Sequence, residues 1–229
     1  MASKTSLVIF DLGQVLIRVC RGWRAACENA GLAKVPSPDA VAVGRFHEVV
    51  CDWDCGRLSA EQFAAAVAPV VGLSPADVTR VQEAYLLGPF PGVDALLDDL
   101  AGAGVATACL SNTNPSHWQM MLDASGPNAL PLHKLTHRFA SHLMGCRKPN
   151  EQIYREVEKA TGVPADGIVF FDDAQENVDA ARALGWHAHR IDPEVGDPIA
   201  QVRRHLQMEG VLPERPAPGA SHAGSSGRA

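Results

Sequence analysis

The apolar positions near the start of the chain form one unbroken run, Leu7-Val8-Ile9-Phe10, which ends on Asp11-Leu12-Gly13. A short run without alternation predicts a strand buried on both faces, as in a parallel sheet. The same shape returns twice. Val105-Ala106-Thr107-Ala108-Cys109-Leu110 runs into Ser111-Asn112-Thr113-Asn114, and Gly167-Ile168-Val169-Phe170-Phe171 runs into Asp172-Asp173. His187 to Ile191 reads as a last strand, and a weaker one lies near Phe139-Ala140-Ser141. Between strands the period becomes helical. Val93, Leu96, Leu97 and Leu100 share a face, and further helices are predicted from about Ser116 to Ser125, Asn150 to Thr161, 174 to 184 and Pro198 to Gln207. Strands alternating with helices predict an α/β fold around a parallel sheet. Ligands bind such sheets at the carboxyl ends of the strands, where Asp11, Ser111 and Asp172 would stand.

Residues 18–88 break this pattern and contain no convincing strand. Trp23 to Ala30 is helical and stops at Gly31. Pro36-Ser37-Pro38 reads as a linker, and Asp39 can cap a helix reaching Cys51. Ser59-Ala60-Glu61-Gln62 is a capping box, with Phe63, Val67 and Val70 on the face that follows. Ser74-Pro75 starts another helix, predicted to run to Leu87. A helical block thus interrupts the α/β pattern directly after its first strand and would overhang the strand ends. The expected division is an α/β core of 1–17 and 89–212, a helical insertion of 18–88, and a Pro-, Gly-, Ala- and Ser-rich tail of 213–229 without periodicity, read as disordered.

Composition narrows the class. The 229 residues are 46% hydrophobic and 20% charged, as in a soluble globular protein. The net charge of -6, with no basic stripe, argues against nucleic acid as a partner. Six scattered cysteines form no Cys-x-x-Cys pair, so zinc is not expected, and reduced thiols fit a cytoplasmic protein. No long apolar segment or signal-peptide pattern points to a membrane.

The candidate chemistry follows from the strand ends. Asp11, Asp172 and Asp173 gathered at one edge carry a local charge of about −3, which raises carboxylate pKa values unless cations compensate. Lys148, in Arg147-Lys148-Pro149 just before a helix, supplies one positive charge. A hard divalent cation would supply more, and Mg²⁺ favours a few carboxylates plus water and substrate oxygens.

The ordered set Asp11, Ser111, Lys148 and Asp172-Asp173 resembles the haloacid dehalogenase superfamily of hydrolases over roughly residues 5–192. The wording Asp-Leu-Gly-Gln-Val, Leu-Ser-Asn-Thr-Asn-Pro-Ser-His-Trp and Phe-Phe-Asp-Asp-Ala-Gln-Glu-Asn is most similar to the branch of bacterial sugar-phosphate phosphatases, of the glucose-1-phosphate phosphatase type. The resemblance implies a Rossmann-like sheet of order 5-4-1-2-3 with the Asp11 strand central. It implies that residues 18–88 form a cap domain closing over the site. It also implies a Mg²⁺-dependent phosphomonoesterase acting on a small phosphorylated metabolite such as a sugar phosphate, through an aspartyl-phosphate. In that scheme Asp11 is the nucleophile. Asp11, the Gly13 carbonyl and Asp173 hold the metal, with Asp172 acting through a water. The Ser111 hydroxyl and the Asn112 amide hold phosphate oxygens, Lys148 pairs with nucleophile and phosphate, and Asn177 braces the acidic loop.

Gly13 departs from many phosphatases of the superfamily, which carry there a second Asp as general acid and base. Such help is worth ~10²–10⁴-fold, so a modest rate or a substitute is expected; His117, Asp54 and His142 are the candidates. Arg21 and Arg24 either read a charged substrate or belong to a solvated helix start. Two alternatives use the same residues: a dehalogenase, which needs no metal, and a non-catalytic phosphate- or partner-binding protein. A monomer or weak homodimer is expected.

Overall fold

In a computed structural model, residues 5–32 and 40–213 are described, apart from the side chains of 40–42. The linker at 36–38, Asp39 and residues 214–229 of the expected tail lie outside the described residues. The chain runs β1 (Leu7–Phe10), β2 (Ile17–Val19), α1 (Trp23–Asn29), α2 (Ala40–Asp54), α3 (Ala60–Val71), α4 (Pro75–Glu83), β3 (Leu86–Pro89), α5 (Val93–Gly102), β4 (Ala106–Ser111), α6 (Pro115–Leu122), β5 (His137–Ala140), α7 (Ser141–Met144), α8 (Glu151–Thr161), β6 (Ile168–Asp172), α9 (Gln175–Ala183), β7 (His187–Arg190) and α10 (Pro198–Met208).

Five parallel strands make the sheet, in the order β5-β4-β1-β6-β7. Numbered among themselves and read from the β7 edge, they give the expected 5-4-1-2-3. The unbroken apolar run of β1 has its reason here, because both faces of the strand are covered. Val8 and Phe10 pack under α5, α6 and α10, against Leu96, Leu100, Met121 and Val202. Leu7 and Ile9 face α8 and α9, against Ile153, Tyr154, Val157 and Val178. Each such fully buried side chain contributes about 1.5–3 kcal/mol.

The reading of 18–88 as free of strands is corrected at both ends. β2 and β3 form an antiparallel pair, with Ile17 opposite Pro89 and Val19 opposite Leu86. The helix expected to reach Leu87 stops at Glu83. Gly88 has φ +85, outside the helical range, and the ladder partner of Leu86 lies far back in the sequence. Helical patterning carries no trace of either. α6 likewise ends at Leu122 rather than Ser125, where the Asp123 carboxylate accepts the Ser125 N–H and hydroxyl at 3.1 and 2.7 Å.

Between β2 and β3, α1 to α4 have hydrophobic clusters of their own. Trp53 stacks on Phe63 at 3.8 Å, with Val67, Val71 and Val78 around them. The predicted capping box at Ser59 and the cap at Ser74 are both present. The C-terminal end of α2 is seated on α7. Gly56, with φ +70, comes so close that a Cβ there would run into the carbonyl oxygen of His142. Gly56→Ala is therefore expected to cost roughly 1–3 kcal/mol, read as a lower urea midpoint. An unaltered midpoint would show that this seat carries no load.

Candidate active site

Asp11 stands at the carboxyl end of the central strand. Its N–H donates to the Phe171 carbonyl at 2.7 Å, which ties it to β6, and its Oδ1 accepts the Leu12 N–H at 2.6 Å. A tight turn follows, in which the Leu12 carbonyl accepts the N–H groups of Leu16 and Ile17 at 2.8 and 2.9 Å. Gln14 takes the left-handed φ of +57 within it, and its Nε2 donates to the Val19 carbonyl at 3.0 Å. This turn carries β1 into β2 and places Gly13 beside the acid.

Lys148 is 1% exposed. Its Nζ donates to the Leu110 carbonyl at 2.7 Å and to Asp172 Oδ2 at 2.6 Å, and lies 3.1 Å from Asp11 Oδ1. Burial opposes its charge, but Asp11 and Asp172 outweigh burial and hold the ammonium above its ordinary range. Asn112 positions it. The Asn112 side chain accepts the Lys148 N–H and donates to the Lys148 carbonyl, each at 2.9 Å. The Asn112 side chain is thus engaged with the Lys148 backbone. Ser111 lies buried at the end of β4, beside it.

Asp172 is fully buried and accepts three hydrogen bonds from protein groups: Lys148, the Ala174 N–H at 2.9 Å and Asn177 Nδ2 at 2.9 Å. Asn177 thus ties α9 to the acidic loop, and its backbone carbonyl accepts the Tyr154 hydroxyl at 3.0 Å. Asp173 is half-buried.

The electrostatics are one-sided. Burial pushes Asp11 up to about 7, with Asp172 and Asp173 adding to the rise and Lys148 opposing it. Burial and Asp172 push Asp173 up to about 6. One ammonium does not balance three carboxylates. Asp11, Asp172 and Asp173 each offer an oxygen within 4.8 Å of the others. A cluster of hard anionic oxygens, short of positive charge, fits a hard divalent cation such as Mg²⁺.

Two cavities border this edge, one lined by Asp173 and the other by Asn112. Asp173, Gln14, Arg21 and Arg190 line one of about 410 Å³. Asn112 and Thr113 line another of about 260 Å³, whose roof is Trp23, Trp53 and Asp54. Gly22 and Tyr85 border both. Arg21 sits at the rim of the first cavity, paired with Glu194. Arg24 is exposed on α1, where its charge acts on the Cys27 thiol.

His117 lines the second cavity but has no nitrogen to spare. Its Nδ1 accepts from Asn114 Nδ2 at 3.1 Å and its Nε2 donates to the Gln82 carbonyl at 2.9 Å. Burial lowers its pKa, so it stands as a neutral pillar between α6 and α4, not as the missing acid. His142 donates Nδ1–H to the Thr113 carbonyl at 3.1 Å and packs edge-on against Trp118.

Two positions had no signal in the sequence. Ser141 is fully buried, and its Oγ accepts the Thr113 N–H at 2.9 Å and donates to the Thr113 carbonyl at 3.1 Å, which sets the loop after β4. Arg147 reaches up to α2, with NH1 2.8 Å from Cys51 Sγ and NH2 3.8 Å from Asp54.

Residues 5–185 match the family model of the haloacid dehalogenase-like hydrolases. The chain is similar to enolase-phosphatase E1 of Pectobacterium carotovorum, 25% identical over 126 residues, which span 55% of this chain and about half (54%) of that protein. It is similar to the sesquiterpene phosphatase astK of Aspergillus oryzae, 28% identical over 194 residues, 81% of this chain and 89% of that one. A haloacid dehalogenase family enzyme of Bacteroides thetaiotaomicron, solved in complex with magnesium and inorganic phosphate, shares the fold with a TM-score of 0.65 at 20% identity, covering 82% of this chain and 94% of that one.

Proposed function

Because this chain belongs to the haloacid dehalogenase-like hydrolases, we propose that it is a Mg²⁺-dependent phosphomonoesterase acting on a small phosphorylated metabolite. The observation that carries this reading is the meeting of Lys148 with Asp11 and Asp172 at the carboxyl ends of β1 and β6. The phosphatase names of the curated relatives support it.

In this reading Asp11 is the nucleophile. An Asp11 oxygen bonds to phosphorus while the bond from phosphorus to the leaving oxygen breaks, giving an aspartyl-phosphate. Lys148 offsets negative charge on Asp11 and on the phosphoryl oxygens during transfer. Ser111 and the backbone beside it orient those oxygens. Asp172 and Asn112 keep the ammonium aimed, one through its head and the other through its backbone. Asp11, Asp173 and the Gly13 carbonyl would hold Mg²⁺, with Asp172 contacting it through a water. When bound, the cation supplies the positive charge the site lacks and keeps Asp11 ionised. The aromatic walls at Trp23, Trp53 and Tyr85 suit a ring-bearing leaving group such as a sugar. No helix among the described residues is long and apolar enough to cross a membrane, and the proposed substrate is a small soluble phosphate ester.

The direct test is phosphate release from a panel of sugar phosphates and p-nitrophenyl phosphate, with Mg²⁺ and with EDTA. Magnesium-dependent release is expected; haloacid turnover in EDTA would replace this reading by the dehalogenase one. Metal binding has a second readout. Asp11 and Asp173 have folded pKa values raised to about 7 and about 6 from 3.8. Between these values the folded state holds more protons than the unfolded state, so the stability contributed by these groups in the metal-free protein falls as pH rises. Mg²⁺ competes with those protons. At a concentration a hundredfold above its Kd at pH 8 it is expected to raise the melting temperature by about 5–10 °C, and by less at the same concentration at pH 6. A shift absent at both pH values would remove the metal from the scheme.

A further inference from the structure

We propose that Asp54, delivered by the end of α2, is the general acid and base that position 13 does not supply. This rests on the phosphatase reading above. Gly13 leaves a gap, because a Cβ there would meet nothing nearer than the Val19 methyl groups at 3.9 Å. A proton donor for the leaving oxygen must instead stand across the phosphate from Asp11, on the side where the alcohol departs. Asp54 lines the cavity of about 260 Å³ together with Asn112 and Thr113, the residues that follow Ser111, and that cavity shares Gly22 and Tyr85 with the one lined by Asp173.

Three features hold Asp54 there. Gly56, two residues on, is seated against the His142 carbonyl of the core. Arg147, the chain neighbour of Lys148, bonds Cys51 one turn earlier on α2 and lies 3.8 Å from the Asp54 carboxylate. Trp53, stacked on Phe63, locks the adjoining turn. Asp54 itself is only 8% exposed.

The groups around it leave it able to carry a proton. Arg147 is the cation facing it from the core. Arg57 is drawn to Asp52, at 2.6 Å. Tyr85 faces it across the cavity and Cys55 follows it, and neither is a cation. Burial pushes Asp54 up to about 6, with Arg147 opposing. Of the other candidates, His117 has both nitrogens engaged and His142 is turned to Thr113 and Trp118.

The step balances. As the bond from phosphorus to the leaving oxygen breaks, Asp54 gives that oxygen its proton and the alcohol leaves neutral. The Asp54 carboxylate then takes a proton from the water that attacks the aspartyl-phosphate. Inorganic phosphate departs, and Asp11 and protonated Asp54 are restored.

The test compares an alkyl phosphate, whose alkoxide needs a proton, with p-nitrophenyl phosphate, whose phenolate does not. Both are assayed on the magnesium-loaded protein. Asp54→Asn should lower kcat/KM for the alkyl ester by roughly 10²-fold, at least tenfold more than for the aryl ester. Gly13→Asp should restore alkyl turnover in the Asp54→Asn background. In the wild type, the alkyl ester's kcat/KM should fall on the alkaline side of the Asp54 ionisation while the aryl ester's does not. That comparison holds whether or not Asp54→Asn folds. Equal losses on both esters, or matching pH profiles, would overturn the role of Asp54 alone. Failure of the wild type to release phosphate from either ester would instead overturn the phosphatase reading and this role with it.

Discussion

Asp11→Asn is expected to lower magnesium-dependent phosphate release by about 10⁴-fold or more, the scale seen when a covalent nucleophile is removed. The substitution removes one reactive oxygen and keeps the shape. The retained amide oxygen can still accept the Leu12 N–H now bonded to Oδ1 at 2.6 Å. Lys148 keeps Asp172 at 2.6 Å and the Leu110 carbonyl at 2.7 Å. A buried carboxylate pushed up to about 7 is also removed, which relieves repulsion with Asp172 and Asp173. The variant should therefore melt within a few degrees of the parent, about 1 kcal/mol or less apart. Acid-quenched enzyme should carry covalent phosphate in the parent and none in the variant. Turnover surviving in a folded Asp11→Asn protein would show that another group attacks phosphorus.

The largest effect on stability is expected from Lys148→Met. Methionine approximates the aliphatic stem and deletes the charge. Asp11 and Asp172 would then be left side by side with no cation, and breaking a buried pair in this way costs about 3–5 kcal/mol. For a domain of this size that is a fall in melting temperature of roughly 6–20 °C. The loss has a pH signature. In the variant Asp11, already pushed up by burial and no longer held down by Lys148, gains a proton more readily, so the folded state takes up a proton that the unfolded state does not. The deficit should therefore shrink as pH falls from 8 towards 5. Activity should drop as well, since Lys148 is the one protein cation shown against Asp11 among the described residues. Thermal melts across that pH range decide the matter. A deficit independent of pH would mean that lost packing against Phe170, 5.4 Å from the ammonium, outweighs the charge.

Much of the site was legible in the chain because its parts are local. An apolar run this short, ending on Asp11, suits a strand covered on both faces with its acid at the edge, and both faces of β1 are indeed buried. Asp172-Asp173 follows the same logic at the end of β6. Capping at Ser59 and Ser74 was readable for the same reason, since each cap joins residues only three apart. Lys148 was readable as a nearby cation, but not what holds it. The two bonds from Asn112 join a strand end to a loop far along the chain, and no pattern within either segment calls for the other. The same holds for Ser141 beneath Thr113, which exists only because β5 lies beside β4. It holds for β2 and β3, four residues or fewer each, whose strand character comes from pairing with one another.

The sequence by itself determined the strands of the parallel sheet, the acids at their ends and the helical block after the first strand. Hydrophobic burial and helix capping act through neighbours a few residues apart, so they leave a period in the text. Tertiary structure alone decided that the Asn112 side chain serves Lys148, that His117 is a neutral pillar, and that Asp54 comes down over the loop after β4. Those outcomes depend on which hydrogen-bonding groups remain unpaired once distant segments meet, and that is set by packing rather than by spacing along the chain.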